Sequence, residues 1–158
     1  MHQIVELAIP ARAEYVGLVR LVVATVAADR RDLDDDRIAD LKLAVSEACT
    51  NAVEAHASAP SEERVIVRCL EDDEFLEIRV DDRGCGFDPA ALPVHPPVTD
   101  PARLDHERGL GIPLIRARVD EVEFSSSPEG TSARLVLRCR RSALAPQSAP
   151  ESSTPTSG

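Results

Sequence analysis

Three short stretches of this chain carry residue types that can do chemistry. In Ser46-Glu-Ala-Cys-Thr-Asn51, Glu47 and Asn51 stand four residues apart, the spacing at which two side chains leave a helix on one side. An amide oxygen beside a carboxylate can hold a hard cation and order a water or hydroxyl next to it. Taken alone, the pair equally suits a solvated helix face. In Val80-Asp-Asp-Arg-Gly-Cys-Gly-Phe-Asp-Pro89, a strand-like run ends at Asp82 and continues into Gly84 and Gly86. Alternating glycines let a backbone approach a ligand or turn with positive φ, and Asp82 can accept a hydrogen bond from an exocyclic amine. An ordinary turn uses the same residues. The stretch has neither the Gly-Lys-Ser/Thr of a P-loop nor a GxGxxG fingerprint. In Glu107-Arg-Gly-Leu-Gly-Ile-Pro-Leu-Ile115, Gly109, Leu110 and Gly111 lead into a helical run. Free N–H groups at a helix start favour a phosphate, and Arg108 adds a cation at that end.

The elements that must position these groups follow from periodicity. Residues 2–9 read as a strand closed by Pro10. Tyr15, Leu18, Val19, Val22 and Val26 recur at helical spacing between Ala13 and Ala28. Asp34-Asp-Asp36 supplies an N-cap and favourable charge for a second helix running to about Ala57. Its apolar stripe is Ile38, Leu41, Val45, Ala48, Cys49 and Ala52, and Glu47 and Asn51 lie off it. The pattern then switches to period two, with Val65, Val67 and Cys69 on one strand face and Leu76, Ile78 and Val80 on the next. Glu71-Asp-Asp-Glu74 reads as the hairpin turn between them. Five of the twelve prolines fall between Asp88 and Pro101, marking a long functional or disordered loop. A short helix is predicted from Leu110 to Val119, with Pro113 in its first turn. Two strands follow, around Glu121–Ser126 and Ser132–Cys139, joined by Pro-Glu-Gly. The order does not alternate as a doubly wound sheet would. It predicts an α+β two-layer α/β sandwich, with a mixed, mostly antiparallel sheet and the helices on one face. One domain over residues 1–140 and a disordered Ser/Pro/Ala-rich tail over 141–158 complete the organisation.

Composition narrows the function classes. A net charge of −10 opposes nucleic-acid binding, which needs a basic surface for phosphates. No apolar run approaches the ~20 residues of a membrane span, and the N-terminus lacks a signal-peptide layout. A cytoplasmic protein is expected, with no membrane and no nucleic acid among its partners. Cys49, Cys69, Cys85 and Cys139 fit no metal-binding spacing and are expected to do no thiol chemistry. His2, His95 and His106 read as exposed or loop residues.

The succession of the three motifs is more specific than any one of them. A Glu-x-x-x-Asn helix, an Asp-x-Gly-x-Gly turn, a proline-rich loop, a Gly-x-Gly helix start and Gly130-Thr131 before a last strand resemble the GHKL ATP-binding superfamily. That superfamily includes gyrases, histidine kinases, mismatch-repair ATPases and heat-shock chaperones. Ala44-Val-Ser-Glu-Ala-Cys-Thr-Asn-Ala-Val53 and Glu107-Arg-Gly-Leu-Gly-Ile-Pro-Leu-Ile-Arg116 are closer still to the anti-sigma-factor serine/threonine kinases of the bacterial sporulation and general-stress switches. The resemblance covers about residues 4–139 and implies the Bergerat ATP-binding fold. It further implies that Asn51 coordinates Mg2+ on the ATP phosphates and that Glu47 is the general base. Asp82 would bind the adenine amino group, with Gly84, Gly86 and Thr131 shaping or supporting that pocket. Arg108, Gly109, Leu110 and Gly111 would meet phosphate, and Asp88–Arg108 would form the lid. Such kinases phosphorylate a serine on an anti-anti-sigma factor (a STAS-type antagonist) and, as homodimers, sequester a sigma factor. A nucleotide-sensing interaction module with little or no transfer activity is the alternative reading. The family's Asn-Ala-x-x-His run is here Asn51-Ala-Val-Glu-Ala-His56, so His56 is displaced by one residue and receives no catalytic role.

Overall fold

The computed structural model describes residues 1–56, 64–83 and 107–139, and of residues 107–111 the backbone only. Gly84, Cys85, Gly86, most of the proline-rich loop, His95, His106 and the expected tail 141–158 lie outside the described residues. Strand β1 (His2–Pro10) is followed by a 3-10 turn at Ala13–Tyr15 and by helices α1 (Val16–Ala28) and α2 (Asp35–His56). Strands β2 (Arg64–Glu71) and β3 (Phe75–Asp82), helix α3 (Glu107–Arg118), and strands β4 (Glu121–Ser127) and β5 (Gly130–Arg138) complete the order.

The five strands form one sheet in the order β1-β2-β3-β5-β4, and every described pair is antiparallel. Alternation along each strand sends one set of side chains toward the helices. Val65, Val67 and Cys69, then Leu76, Ile78 and Val80, then Ala133, Leu135 and Leu137 make that inner face, and all are buried. The stripe of α2 closes on it through Leu41, Ala44, Val45, Ala48, Cys49 and Ala52. Burial pushes the thiol of Cys49 up to about 12 and that of Cys69 to about 11. Both therefore behave as small apolar side chains, as expected. On α1 the buried residues are Val19, Val23 and Ala27. Leu18, expected on the apolar stripe, is 44% exposed and Leu21 is 65% exposed. The sequence offers apolar residues nearly all round this helix, so spacing alone does not select the face that packs.

The ends of the elements are fixed by polar contacts. Asp34 caps α2, its Oδ1 accepting from the amide of Arg37 at 2.8 Å. In the β2–β3 turn, Asp72 Oδ1 accepts from the amides of Glu74 and Phe75 at 2.9 and 2.8 Å. Arg30, just past α1, donates to the carbonyl of Asp72 at 2.8 Å and pairs with Asp32 and Glu71, pinning the α1–α2 connection to that turn. On the outer sheet face, opposite Leu76, Ile78 and Val80, Glu77 is only 1% exposed. Its two oxygens accept from Nε of Arg79 and of Arg134, the latter at 2.7 Å.

Helix α3 departs from the sequence reading. It begins at Glu107 rather than Leu110, so Gly109–Gly111 lie inside its first two turns and Pro113 lies beyond the first. One proline removes a single rung, the bond its N–H would give to the Gly109 carbonyl, and the preceding residues continue the helix without it. Among the described residues, no helix is long and apolar enough to cross a membrane.

The C-terminal end of α3 is tied to α2. Arg118 pairs with Asp40, and Asp120 accepts from Arg37 and from the amide of Arg138. Burial opposes the charge of Asp120, but the Arg37 and Arg138 hydrogen bonds outweigh it and hold the carboxyl below its ordinary value of 3.8. A folded-state value below the unfolded one adds stability at higher pH that is lost as pH falls through the folded value. Asp120→Asn should therefore flatten the acid limb of the stability curve below about pH 4. Urea unfolding of both proteins between neutral pH and about pH 3 checks this, and parallel curves would refute it.

Candidate functional site

Helix α2 presents Glu47 and Asn51 one turn apart, both half-buried. The neighbouring hydroxyls are engaged elsewhere, because Ser46 donates to the Lys42 carbonyl at 2.7 Å and Thr50 to the Ser46 carbonyl at 2.8 Å. These i−4 bonds fold both hydroxyls back on the helix. Asn51 reaches the space between α2 and the sheet, where it shares a narrow cavity with Asp82 and Thr131. Ala48, Ala52, Val80, Phe124 and Ala133 complete the lining. The lining is therefore mostly apolar, with Asn51, Asp82 and Thr131 as its polar members.

Asp82 is the last residue of β3 and lies directly opposite Thr131 in the β3–β5 ladder. Both are 7% exposed. The Thr131 hydroxyl has no hydrogen-bond partner among the described residues, an arrangement that normally marks a missing ligand or water. Gly130 makes this close approach feasible. Its φ is +146°, and a Cβ there would stand 1.9 Å from the Asp82 carbonyl oxygen. Only glycine fits where the β4–β5 turn meets the end of β3.

The structure thus brings together Asn51, Asp82 and Thr131, which are separated by up to eighty residues in sequence. Glu47 lies one turn before Asn51 on the same helix. Arg108, Gly109, Leu110 and Gly111 fall within the first five residues of α3, and α3 packs along α2. In a helix the first four N–H groups have no partner within it. The donors free for an anion therefore shift to residues 107–110 from the expected 109–111. Gly84 and Gly86 lie outside the described residues.

One residue at the site is given no role by the sequence. His56 ends α2, is 5% exposed, and places Nε2 4.0 Å from Asp82 Oδ1. Helical periodicity carried the signal, since His56 lies four residues beyond Ala52 and seven beyond Cys49, on the stripe that packs. Phe124 adds a contact from β4, with the Arg116 guanidinium of α3 5.9 Å from its ring centroid.

Replacing Gly130 with alanine should destabilise the protein by at least about 2 kcal/mol, because both the dihedral and the carbonyl contact become unfavourable. Denaturant unfolding measures this, and a loss under about 0.5 kcal/mol would contradict the close approach.

The chain has clear relatives. A model of the histidine kinase-like ATPase domain matches residues 9–137, a span containing all the groups described above. The serine-protein kinase RsbW of Bacillus pumilus is 41% identical over 129 residues, covering 78% of this chain and 79% of the relative. The serine-protein kinase RsbW of Bacillus velezensis is 40% identical over 126 residues, covering 78% of each. Among solved structures, the RsbU and RsbW domains of a Mycobacterium tuberculosis protein superpose with a TM-score of 0.63 at 23% identity. That match covers 85% of this chain but 32% of the other, about a third of its length. The histidine kinase domain of a blue-light activated histidine kinase from Erythrobacter litoralis superposes with a TM-score of 0.53 at 20% identity, covering 82% of this chain and 61% of that one. At these identities the two structures speak for the fold, a two-layer α/β sandwich.

Proposed function

This chain belongs to the histidine kinase-like ATPase family, and we propose that it is an ATP-dependent serine kinase of the RsbW type. Its proposed substrate is a serine on a STAS-type anti-anti-sigma factor, and its proposed captive is a sigma factor. The observation that carries the reading is the single cavity shared by the half-buried amide of Asn51, the buried carboxylate of Asp82 and the orphaned hydroxyl of Thr131. This donor set fits an adenine nucleotide with its magnesium ion. A buried carboxylate suits an exocyclic amine, a free hydroxyl suits a base nitrogen or a bridging water, and an amide oxygen suits a hard cation.

In this reading Asp82 accepts from the adenine amino group and Thr131 supports it from the next strand. Asn51 holds Mg2+, which when bound supplies charge neutralisation on the phosphates. The start of α3, at Arg108, Gly109 and Leu110, takes the phosphates on its free amides, and Gly111 follows in the same turn. Gly84 and Gly86 shape the base pocket. Glu47, one turn before Asn51, takes the proton of an incoming serine hydroxyl as general base. Residues 1–140 form the kinase domain and 141–158 its tail. A homodimer and a cytoplasmic location complete the proposal, and the exposed Leu18 and Leu21 of α1 offer one apolar surface for a second copy.

Incubation with ATP, Mg2+ and the STAS-type antagonist of the same cell should transfer phosphate to one serine, read by mass spectrometry. Glu47→Ala should lower turnover at least about 100-fold while ATP affinity stays within a few-fold. Asp82→Asn should weaken ATP binding at least about tenfold. Bound ATP without transfer in the unaltered protein would overturn the kinase assignment and favour a nucleotide-sensing module, in which Glu47→Ala would leave partner binding intact.

A further inference from the structure

We propose that His56 is a positioning residue for the nucleotide base. It orients the buried Asp82 carboxylate and thereby sets both ATP affinity and the preference for ATP over GTP. The inference rests on the reading of Asp82 as the acceptor for the adenine amino group.

Two apolar rows end at the same level of the molecule. Along α2 the packed stripe runs through Leu41, Val45, Cys49 and Ala52 and reaches His56 at the helix end. Along β3 the inward residues run through Leu76, Ile78 and Val80 and reach Asp82 at the strand end. An apolar residue at either end would simply extend the core. Instead a carboxylate and an imidazole face each other, with side chains only 4% and 3% exposed and Nε2 4.0 Å from Oδ1. That separation lies just beyond hydrogen-bond length, and a charge attraction acts across it when the imidazole carries its second proton.

The other polar groups around Asp82 differ in kind from His56. Thr131 offers a neutral hydroxyl from β5, and Asn51 a neutral amide from one turn earlier on α2. Arg83 follows Asp82 in the chain but is exposed. A wider cavity on the outer side of Asp82 adds Arg68, Asp81 and Ser132. Imidazole alone combines deep burial, a donor when neutral and a positive charge when protonated.

The consequence concerns orientation. A carboxylate torsion is broad and roughly two-fold, so an unrestrained Asp82 would lose freedom on meeting the base. With Oδ1 facing His56, that cost is met in folding, and the acceptor direction is set before the ligand arrives. Guanine presents a carbonyl where adenine presents its amine. A fixed acceptor opposite a carbonyl leaves two acceptors facing each other, which rejects GTP more sharply than a rotating one.

The test is calorimetric titration of ATP and GTP into the full-length protein. His56→Leu fills the site without a donor, and His56→Gln keeps an N–H near the Nε2 position. Each is also made on an Asp82→Asn background, with thermal unfolding recorded without nucleotide. His56→Leu should weaken ATP binding about tenfold, change GTP binding little and raise KM for ATP without lowering kcat. His56→Gln should stay within about threefold of the unaltered protein. On the Asp82→Asn background, His56→Leu should cause no further loss. Equal losses from Leu and Gln, a Leu effect that persists without the Asp82 carboxylate, or unchanged ATP affinity in His56→Leu would each overturn the proposal. If His56→Leu does not fold, His56→Met takes its place with the same expectations. Absence of ATP binding by the unaltered protein would remove the reading of Asp82 itself, a result separable from all of these.

Discussion

The register of β3 against β5 is the constraint on which the site depends. It sets Asp82 opposite Thr131, and it requires Gly130 at the one position where the Asp82 carbonyl leaves no room for a Cβ. A slip of one residue would turn Asp82 outward and bring Asp81 in, because side chains alternate between faces. The register is secured by the buried pairs Leu76–Leu137, Ile78–Leu135 and Val80–Ala133 below it. The polar rim is therefore held by the apolar rows beneath it.

The second structural element is α2, which serves two surfaces. Its stripe closes the core against the sheet, while Glu47 and Asn51 leave the helix at the edge of that contact and remain half-buried. Their placement follows from helical period alone once the stripe has found the sheet. The ion pairs Arg37–Asp120 and Arg118–Asp40 then set α3 alongside α2. The free amides at the start of α3 are thereby brought to the same helix that carries the amide and the carboxylate.

Much of this was legible in the chain. The switch from helical to period-two patterning gave the order of elements. The succession of motifs gave the resemblance to a family, which the match over residues 9–137 and identities near 40% bear out. Less legible were features in which two segments decide jointly. On α1, Val19, Tyr15 and Val26 pack as the spacing implies but Leu18 does not, because apolar residues surround the helix and packing selects among them. The start of α3 was placed three residues late, because glycine and proline propensities are weak beside the backbone bonds of an established helix. Nothing in the spacing marks Glu77 as buried, because Arg79 and Arg134 close over it from its own strand and the next.

The sequence by itself determined which residue types were available and in what order, because helix and strand periods and turn chemistry are local properties of the chain. Those local rules also fixed that Glu47 and Asn51 share a helix side and that Asp82 ends a strand. Only the tertiary structure decided that Asn51, Asp82 and Thr131 line one cavity and that His56 stands beside Asp82. Those neighbours lie far apart in sequence, and strand pairing and helix packing bring them together. His56 shows the difference most clearly. Counted from Asn51 along the family pattern it is one residue out of place, but counted from Ala52 along the helix it falls on the buried face, where the end of β3 meets it.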